Sequence, residues 1–241
     1  MSEGLWMDEQ LRWIVELLDG AGIAYWADSG TLLGLVREGK LLEHDRDIDI
    51  GVWEHDIAKL SGLTQFFRES NCRIRATKYR GRLYKLKLVP RDESLRKIDI
   101  TIYQVAMGHA WSPALVPRGV VGRQRIMAAL KQRWWAPIQN ARMLLHAFLR
   151  RLRDFRPGFD MACYPWTRIY QMWTWWIPVD LLKERVFDDN LLVWIPANAD
   201  KYLRYRYGDW AIPVTDWVYL RDDEGIVHKK PERLIQDSSM G

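Results

Sequence analysis

Three aspartates alternate within a short stretch that follows a glycine. The stretch "GTLLGLVREGKLLEHDRDIDI" (residues 30–50) places them at Asp45, Asp47 and Asp49. Like charges this close resist ionising together unless a cation lies between them. Carboxylate oxygens suit Mg²⁺, which takes one or two protein carboxylates and completes its shell with water and substrate phosphate. The pattern therefore predicts a Mg²⁺ site, with Mn²⁺ as a substitute; a solvated acidic turn is the alternative.

A β-strand would present these acids together. Successive side chains of a strand point to opposite faces, so Asp47 and Asp49 would share one face while Ile48 and Ile50 anchor the other in a core. The later segment "RKIDITIY" again sets an acid between isoleucines, at Asp99. A second strand beside the first would bring this acid to the pair and form a three-acid cluster. A buried structural aspartate is the alternative for Asp99.

The elements around the acids can be read from the same patterns. Gly30 permits a tight turn after the strand "IAYWA", and "TLLGLVREG" predicts a short helix that begins at residues 29–31. The unpaired N–H groups and dipole of such a helix N-terminus attract phosphate. Residues 5–18 and "DIAKLSGLTQFFRES" predict amphipathic helices. "CRIRATKY" and "RLYKLKLV" predict strands, and the second places Lys85 and Lys87 on one face.

Composition limits the class of protein. The chain has 241 residues, of which 48% are hydrophobic, so we expect a globular protein with one substantial core. Cys72 and Cys163 are the only cysteines, which excludes a disulfide framework and suits a reducing compartment. The N-terminal segment lacks the pattern of a signal peptide, and no apolar run is long enough to span a membrane. We therefore expect a cytoplasmic protein.

Positive charge is concentrated in residues 123–156. This segment holds nine Lys or Arg and one acid, so it carries +8, whereas the whole chain carries +5 and the remainder −3. Apolar residues recur at helical spacing from Ile126 to Phe155. Tryptophans follow at Trp166, Trp173, Trp175 and Trp176. A basic amphipathic helix flanked by tryptophans is typical of a helix that lies in an anionic membrane surface. A helix packed on the domain core is the alternative, and the apolar stripe argues against nucleic acid as a partner.

Three blocks of the sequence resemble, in order, the signature of the LicD/fukutin family. They are "YWADSGTLLGLVREGKLLEHDRDIDIGV", "KIDITIY" and "VWIPANADKYLRYRYGDWAIP". The resemblance implies the nucleotidyltransferase-like fold shared with DNA polymerase beta, an α/β (α+β) architecture with a mixed sheet flanked by helices and a basic amphipathic helical insertion. It implies a catalytic core at residues 1–107, a basic, Trp-rich insertion at 108–180 on the membrane or acceptor side, and a C-terminal part at 181–241 that completes the catalytic domain. Arg46 stands where relatives often have an acidic or aromatic residue, but it points away from the acidic face.

The resemblance also implies an activity. A phospho-alcohol group, such as phosphocholine, ribitol phosphate or glycerol phosphate, would pass from a CDP-alcohol to a hydroxyl of a cell-surface or lipid-linked glycan, and CMP would leave. Asp47 and Asp49 would be the principal metal ligands. Asp99 would ligate a second metal or take the proton from the attacking hydroxyl. The residues expected to bind the donor phosphates are Gly30, Thr31, Arg37, Lys85 and Lys87.

Two further residues are candidates. Asp45 precedes the metal pair and either joins it or orients the turn. Tyr207 lies in the third block and either contacts substrate or packs a structural turn.

Two other functions fit parts of the sequence. A nucleotidyltransferase that attaches a nucleoside monophosphate to a small molecule or protein would share the fold. A non-catalytic protein that tethers a complex to membranes would use only the basic segment, but the acidic cluster argues against it. If the chain is a transferase, docking on an anionic membrane would place it at the inner face of the plasma membrane, beside a lipid-linked acceptor.

Overall fold

A mixed sheet forms the centre of the molecule. The computed structural model describes residues 8–117, 170–214 and 217–239. In this part of the chain the strands are β1 (Tyr25–Ala27), β2 (Asp47–Trp53), β3 (Cys72–Tyr79), β4 (Arg82–Pro90), β5 (Lys97–Ala106), β6 (His109–Pro117), β7 (Tyr170–Pro178), β8 (Arg185–Asp188), β9 (Val193–Pro196) and β10 (Ile226–Val227). The helices are α1 (Glu9–Gly20), α2 (Ser29–Glu38), α3 (Ile57–Gly62), α4 (Thr64–Glu69), α5 (Ala199–Tyr207), α6 (Tyr219–Asp222) and α7 (Pro231–Ser239).

β5 is the strand on which the sheet is organised. β2 pairs with it in parallel, whereas β4 and β6 pair with it antiparallel along different parts of its length. The order β1-β2-β5-β6-β7-β10 continues the sheet, and β3 extends it beside β4. β8 and β9 form a separate hairpin. The mixed α/β architecture predicted from the sequence is confirmed.

The alternating strands separate a core face from a polar face. Ile48, Ile50, Ile98 and Ile100 are almost fully buried and pack in one cluster with apolar residues of α1 and α2. Because side chains alternate along a strand, the acids between these isoleucines emerge on the opposite face. The hydrophobic pattern therefore fixes which way the acids point.

Two elements differ from the sequence-based expectation. The single helix expected after β2 is divided into α3 and α4, because Leu63 between them ends one helix and begins the next. The described ends of the segment 108–180 include β6 and β7, which are strands of the main sheet rather than parts of a helical insertion. The interior of that segment, including the basic residues 123–156, lies outside the described residues.

The tryptophans of β7 also differ from expectation. Trp173 and Trp176 are buried, and Trp175 is half-buried with its ring against Arg206. These side chains pack within the domain, so the expectation that they flank a membrane helix is wrong. They do so because β7 lies between β6 and β10 in the sheet. No helix in the described parts of the chain is long and apolar enough to cross a membrane.

Candidate active site

One row of charged residues crosses four adjacent strands. The backbone register places Asp49 of β2 opposite Asp99 of β5, Asp99 opposite Lys87 of β4, and Lys87 opposite Arg75 of β3. Side chains at paired positions share a face of the sheet. The parallel pairing of β2 with β5 thus brings the two distant acidic segments together, as the sequence predicts.

The two lysines of β4 bind the acid of β5. Lys85 Nζ lies 2.6 Å from Asp99 Oδ2, and Lys87 Nζ lies 2.9 Å from Asp99 Oδ1. Lys87 Nζ is also 3.6 Å from Asp47 Oδ2. Burial acts to raise the pKa of Asp99, but the two ammonium groups outweigh it and hold that pKa below its usual value. Asp99 is therefore an ionised carboxylate whose charge is already balanced.

Two other acids, Asp49 of β2 and Asp45 just before that strand, are in the opposite electrostatic state. Burial raises the pKa of Asp49 well above its usual value; Lys85 opposes this, and the carboxylates of Asp47 and Asp99 raise it further. Burial, together with a hydrogen bond to Asp47 and the charge of that residue, raises the pKa of Asp45 to about 6. In this part of the cluster, the ionised carboxylates would carry negative charge that the neighbouring cations do not balance.

The N-terminus of α2 lies against the acidic cluster. A Cβ atom at Gly30 would stand 2.5 Å from Asp45 Oδ2 and 3.9 Å from Asp49 Oδ2, so a larger side chain would enter the space between these carboxylates and the helix. Thr31 is buried, and its Oγ1 accepts a hydrogen bond of 2.8 Å from the backbone N–H of Asp49. Gly30 therefore lines the site, whereas Thr31 fixes α2 to β2 beneath it.

A buried polar network supports this helix N-terminus from below. Asp28 caps α2 by accepting from the N–H of Ser29 at 2.8 Å, and it also accepts from the hydroxyls of Tyr103, at 2.9 Å, and Tyr202. Arg206 of α5 donates to Ser29 Oγ at 2.7 Å and to the Tyr202 hydroxyl at 2.8 Å. All polar groups of this network meet near the start of α2.

A cleft of about 1770 Å³ opens over the charged row. Residues that line it include Gly30, Arg37, Asp45, Asp47, Asp49, Lys85, Lys87, Asp99 and Tyr207. Arg37 pairs with Glu38 at 2.8 Å and approaches the carbonyl of Trp210 at 3.4 Å, so part of its donor capacity is used within the protein. Tyr207 packs its ring against Trp217, with 4.9 Å between ring centroids. The cleft brings together every predicted site residue except the buried Thr31.

The carboxylates fit a divalent cation in one way. Among the described residues, no three His, Cys, Asp or Glu side chains are arranged to hold one ion. Asp47 and Asp49, by contrast, are the partly exposed carboxylates on one face of β2, and Asp49 lies beside the space that a Cβ on Gly30 would fill. Mg²⁺ commonly binds through one or two carboxylates and substrate phosphates, so this pair fits it. Asp99 already contacts two ammonium groups and fits a second metal less well.

Several residues of the site were not found from the sequence. Arg75 and Lys97 line the cleft, but only the strand register shows that they stand opposite Lys87 and Asp47. Asp28 and Arg206 are joined through a contact between distant parts of the chain. The N-cap position of Asp28, just before a helical pattern, is the one sequence signal that could have revealed it.

The sequence comparison agrees with this geometry. Residues 22–121 match the model of the LicD/FKTN/FKRP nucleotidyltransferase domain, and this range contains β2, β4 and β5 with their charged row. This part of the chain is similar to the LicD/FKTN/FKRP nucleotidyltransferase domain family. The two acidic strands, which the sheet brings side by side, lie within the matched residues.

Curated relatives match the chain over short segments. Ribitol 5-phosphate transferase FKRP of Mus musculus is 33% identical over 71 residues, which cover 26% of this chain and 14% of that protein. The Homo sapiens protein of the same name is 36% identical over 55 residues, covering 23% of this chain and 11% of that one. An uncharacterized protein of Rickettsia typhi is 38% identical over 63 residues, covering 26% and 20%. The matches thus span a fifth or less of these relatives.

Proposed function

We propose that this chain transfers a phospho-alcohol group from a CDP-alcohol to a hydroxyl of a glycan or lipid-linked glycan and releases CMP. The observation that supports the proposal is the polarised cleft. Its β2 side carries unbalanced carboxylates, and its β3–β4 side carries Lys85, Lys87 and Arg75. A diphosphate with a divalent cation carries both kinds of charge, so it complements both sides.

The reaction requires little covalent chemistry from the protein. The acceptor oxygen forms a bond to the phosphorus that bears the alcohol, the bond from that phosphorus to the bridging oxygen breaks, and CMP leaves with the electron pair. Catalysis of such a transfer rests on positioning and on stabilising charge at the phosphate oxygens. A Mg²⁺ ion, or Mn²⁺ in its place, held by Asp47 and Asp49 would supply charge neutralisation at the diphosphate.

The protein's own groups would orient the donor. Lys85 and Lys87 carry ammonium groups on the cleft face, held in place by Asp99, and each can donate to a phosphate oxygen. Gly30 leaves room for phosphate beside the N-terminus of α2. The low pKa of Asp99 makes it a weak base, so we assign it mainly to holding the lysines, and a role in receiving the hydroxyl proton is secondary.

The test is to offer the purified protein a panel of CDP-alcohols with Mg²⁺ and a glycan acceptor extract, and to follow nucleotide products. We expect CMP release with one donor, abolished by chelator and restored by Mg²⁺ or Mn²⁺. Release of pyrophosphate from a nucleoside triphosphate, with no CMP from any CDP-alcohol, would contradict the proposal and support nucleotidyl transfer. A matched Asp47→Asn variant controls for contaminating hydrolases.

A further inference from the structure

Arg206 is a fully buried cation directly beneath the candidate phosphate site. Its side chain is 2% exposed, and its guanidinium is paired with Asp223, which is also buried. The guanidinium stacks on the ring of Trp175, with 4.5 Å from Cζ to the ring centroid. Burying an arginine is strongly unfavourable because of desolvation unless its charge is paired and its donors are satisfied. Asp223 balances the charge of the guanidinium, and the ring of Trp175 covers one of its faces.

One branch of the same guanidinium reaches away from this pair. Nη1 donates to Ser29 Oγ at 2.7 Å and to the Tyr202 hydroxyl at 2.8 Å, and it lies 3.5 Å from Asp28 Oδ1. Only a planar fork with several donors can bind Asp223 on one side and Ser29 on the other at once. The contact to Ser29 adds nothing to the charge balance of Arg206.

Ser29 needs such a contact. Its φ of 49° lies in the left-handed region, which is unfavourable for a residue other than glycine unless its surroundings hold it. Asp28 binds its N–H group and Arg206 binds its hydroxyl, so both polar groups of the residue before Gly30 are held. Ser29 is the first residue of α2, so its backbone conformation contributes to the direction in which the helix begins.

We infer that Arg206 is a positioning residue, which holds Ser29 in its left-handed conformation and so aims the N-terminus of α2 at the donor phosphates. That this orientation of α2 matters for transfer rests on the proposed function. That Arg206 orders the helix N-terminus does not depend on the proposed function. Arg206 acts through Ser29 and does not itself need to touch substrate.

The test compares three variants of the full chain. Ser29→Ala removes the hydroxyl and leaves the Arg206–Asp223 pair intact. Arg206→Lys keeps the charge but not the fork. Arg185→Met is the matched control, because Arg185 also stacks on a tryptophan, Trp194 at 4.2 Å, and donates to a backbone carbonyl, but it does not line the cleft.

Amide hydrogen exchange of the peptide covering residues 28–35 gives a readout that needs no substrate. We expect exchange in this peptide to become roughly five- to tenfold faster in Ser29→Ala and Arg206→Lys, with other peptides of the sheet changing less. Arg185→Met should leave the peptide at the wild-type rate. The inference would be overturned if both test variants exchanged at the wild-type rate, or if exchange changed equally in all peptides. Arg206 would then stabilise the fold as a whole and not the start of α2 in particular.

Steady-state kinetics add the functional readout. With whichever CDP-alcohol the wild type uses, Ser29→Ala should raise the KM for the donor several-fold and change kcat less, because the lost contact orients the bound phosphates. An unchanged KM, with faster exchange, would overturn the role of Arg206 in donor positioning. If the wild type released no CMP from any donor, the proposed function would fail, while the exchange data would still decide whether Arg206 holds the helix N-terminus.

Discussion

At the scale of single residues, the site contains acids in two different electrostatic states. Asp99 has two lysines within 2.9 Å and a lowered pKa, whereas Asp49 has a raised pKa and acidic neighbours. A balanced acid stabilises the fold, and an unbalanced one opposes it until a cation arrives. The excess charge near Asp49 is therefore a cost that metal binding would relieve.

Replacing Asp49 should separate stability from activity. In chelator at pH 7, Asp49→Asn should melt at a higher temperature than the wild type, because folding of the variant requires neither a buried charge nor the uptake of a proton at this position. Added Mg²⁺ should raise the melting temperature of the wild type more than that of the variant. Transfer should fall about a hundredfold or more in Asp49→Asn and in Asp47→Asn. Near-wild-type turnover in both variants would show that the metal site lies elsewhere.

Asp45 should give the protein a specific dependence on pH. Its pKa is about 6 in the fold and 3.8 in its ordinary state, so the folded protein holds this proton more tightly than the unfolded chain. The stability that this group contributes is present below about pH 4 and is lost as pH rises towards 6. In chelator, the melting temperature of Asp45→Asn minus that of the wild type should therefore be near zero at pH 4 and positive above pH 6. A difference that does not vary with pH would contradict the assignment.

At the scale of secondary-structure elements, the alternation of apolar and acidic residues along the strands allowed the sequence to predict which face of the sheet holds the site. The isoleucines of β2 and β5 determined which face the acids occupy, and the strands have the expected positions. The pairing of residues across strands could not be predicted in the same way, because only the register of β3 with β4 places Arg75 opposite Lys87. The role of Arg206 could not be predicted from sequence for a different reason. Its partners Ser29 and Asp223 come from other segments of the chain, and no local sequence pattern indicates that the three residues meet.

Two glycines of the site region should respond oppositely to a methyl group. A Cβ at Gly51 would stand 2.2 Å from the buried ring of Trp26, so Gly51→Ala should destabilise the fold by about 1–3 kcal/mol. At Gly30 the nearest atom is the end of the Asp45 side chain, which can rotate away. Gly30→Ala should therefore melt close to the wild type but lose CMP release. Equal losses of stability in thermal unfolding would mean that Gly30 is only a packing position.

The ion pairs between β4 and β5 predict how a change at Asp99 would affect donor binding and transfer. Asp99→Asn keeps the shape of the side chain but releases Lys85 and Lys87 from a charged partner. We expect isothermal calorimetry with CDP and Mg²⁺ to show binding roughly tenfold weaker than in the wild type, because the two lysines are no longer held towards the phosphates. Wild-type binding with transfer lost would instead identify Asp99 as the residue that receives the hydroxyl proton.

At the scale of the whole molecule, charge is divided along the chain. Residues 123–156 carry +8 and all other residues together −3. The described parts of the chain place β6 and β7, on either side of that segment in sequence, as neighbours in the sheet. The basic segment therefore lies in sequence between two paired strands of the domain. A membrane that bound this segment would also hold the domain at its surface.

The basic segment 123–156 lies outside the described residues, so its sequence alone bears on what it binds. Its arginines and apolar stripe predict attachment to an anionic membrane, to which each well-placed Lys or Arg adds about 1 kcal/mol. The wild type should float with vesicles that contain anionic lipid at low salt and should sediment at high salt. A variant with Arg150, Arg151 and Arg153 changed to Glu should not float, and its CMP release from soluble substrates should be unchanged, since the charge change lies outside the cleft residues named above. A wild type that stays in solution at low salt would assign the apolar stripe to the protein core, and lipid-linked acceptors would then have to reach the cleft without this contact.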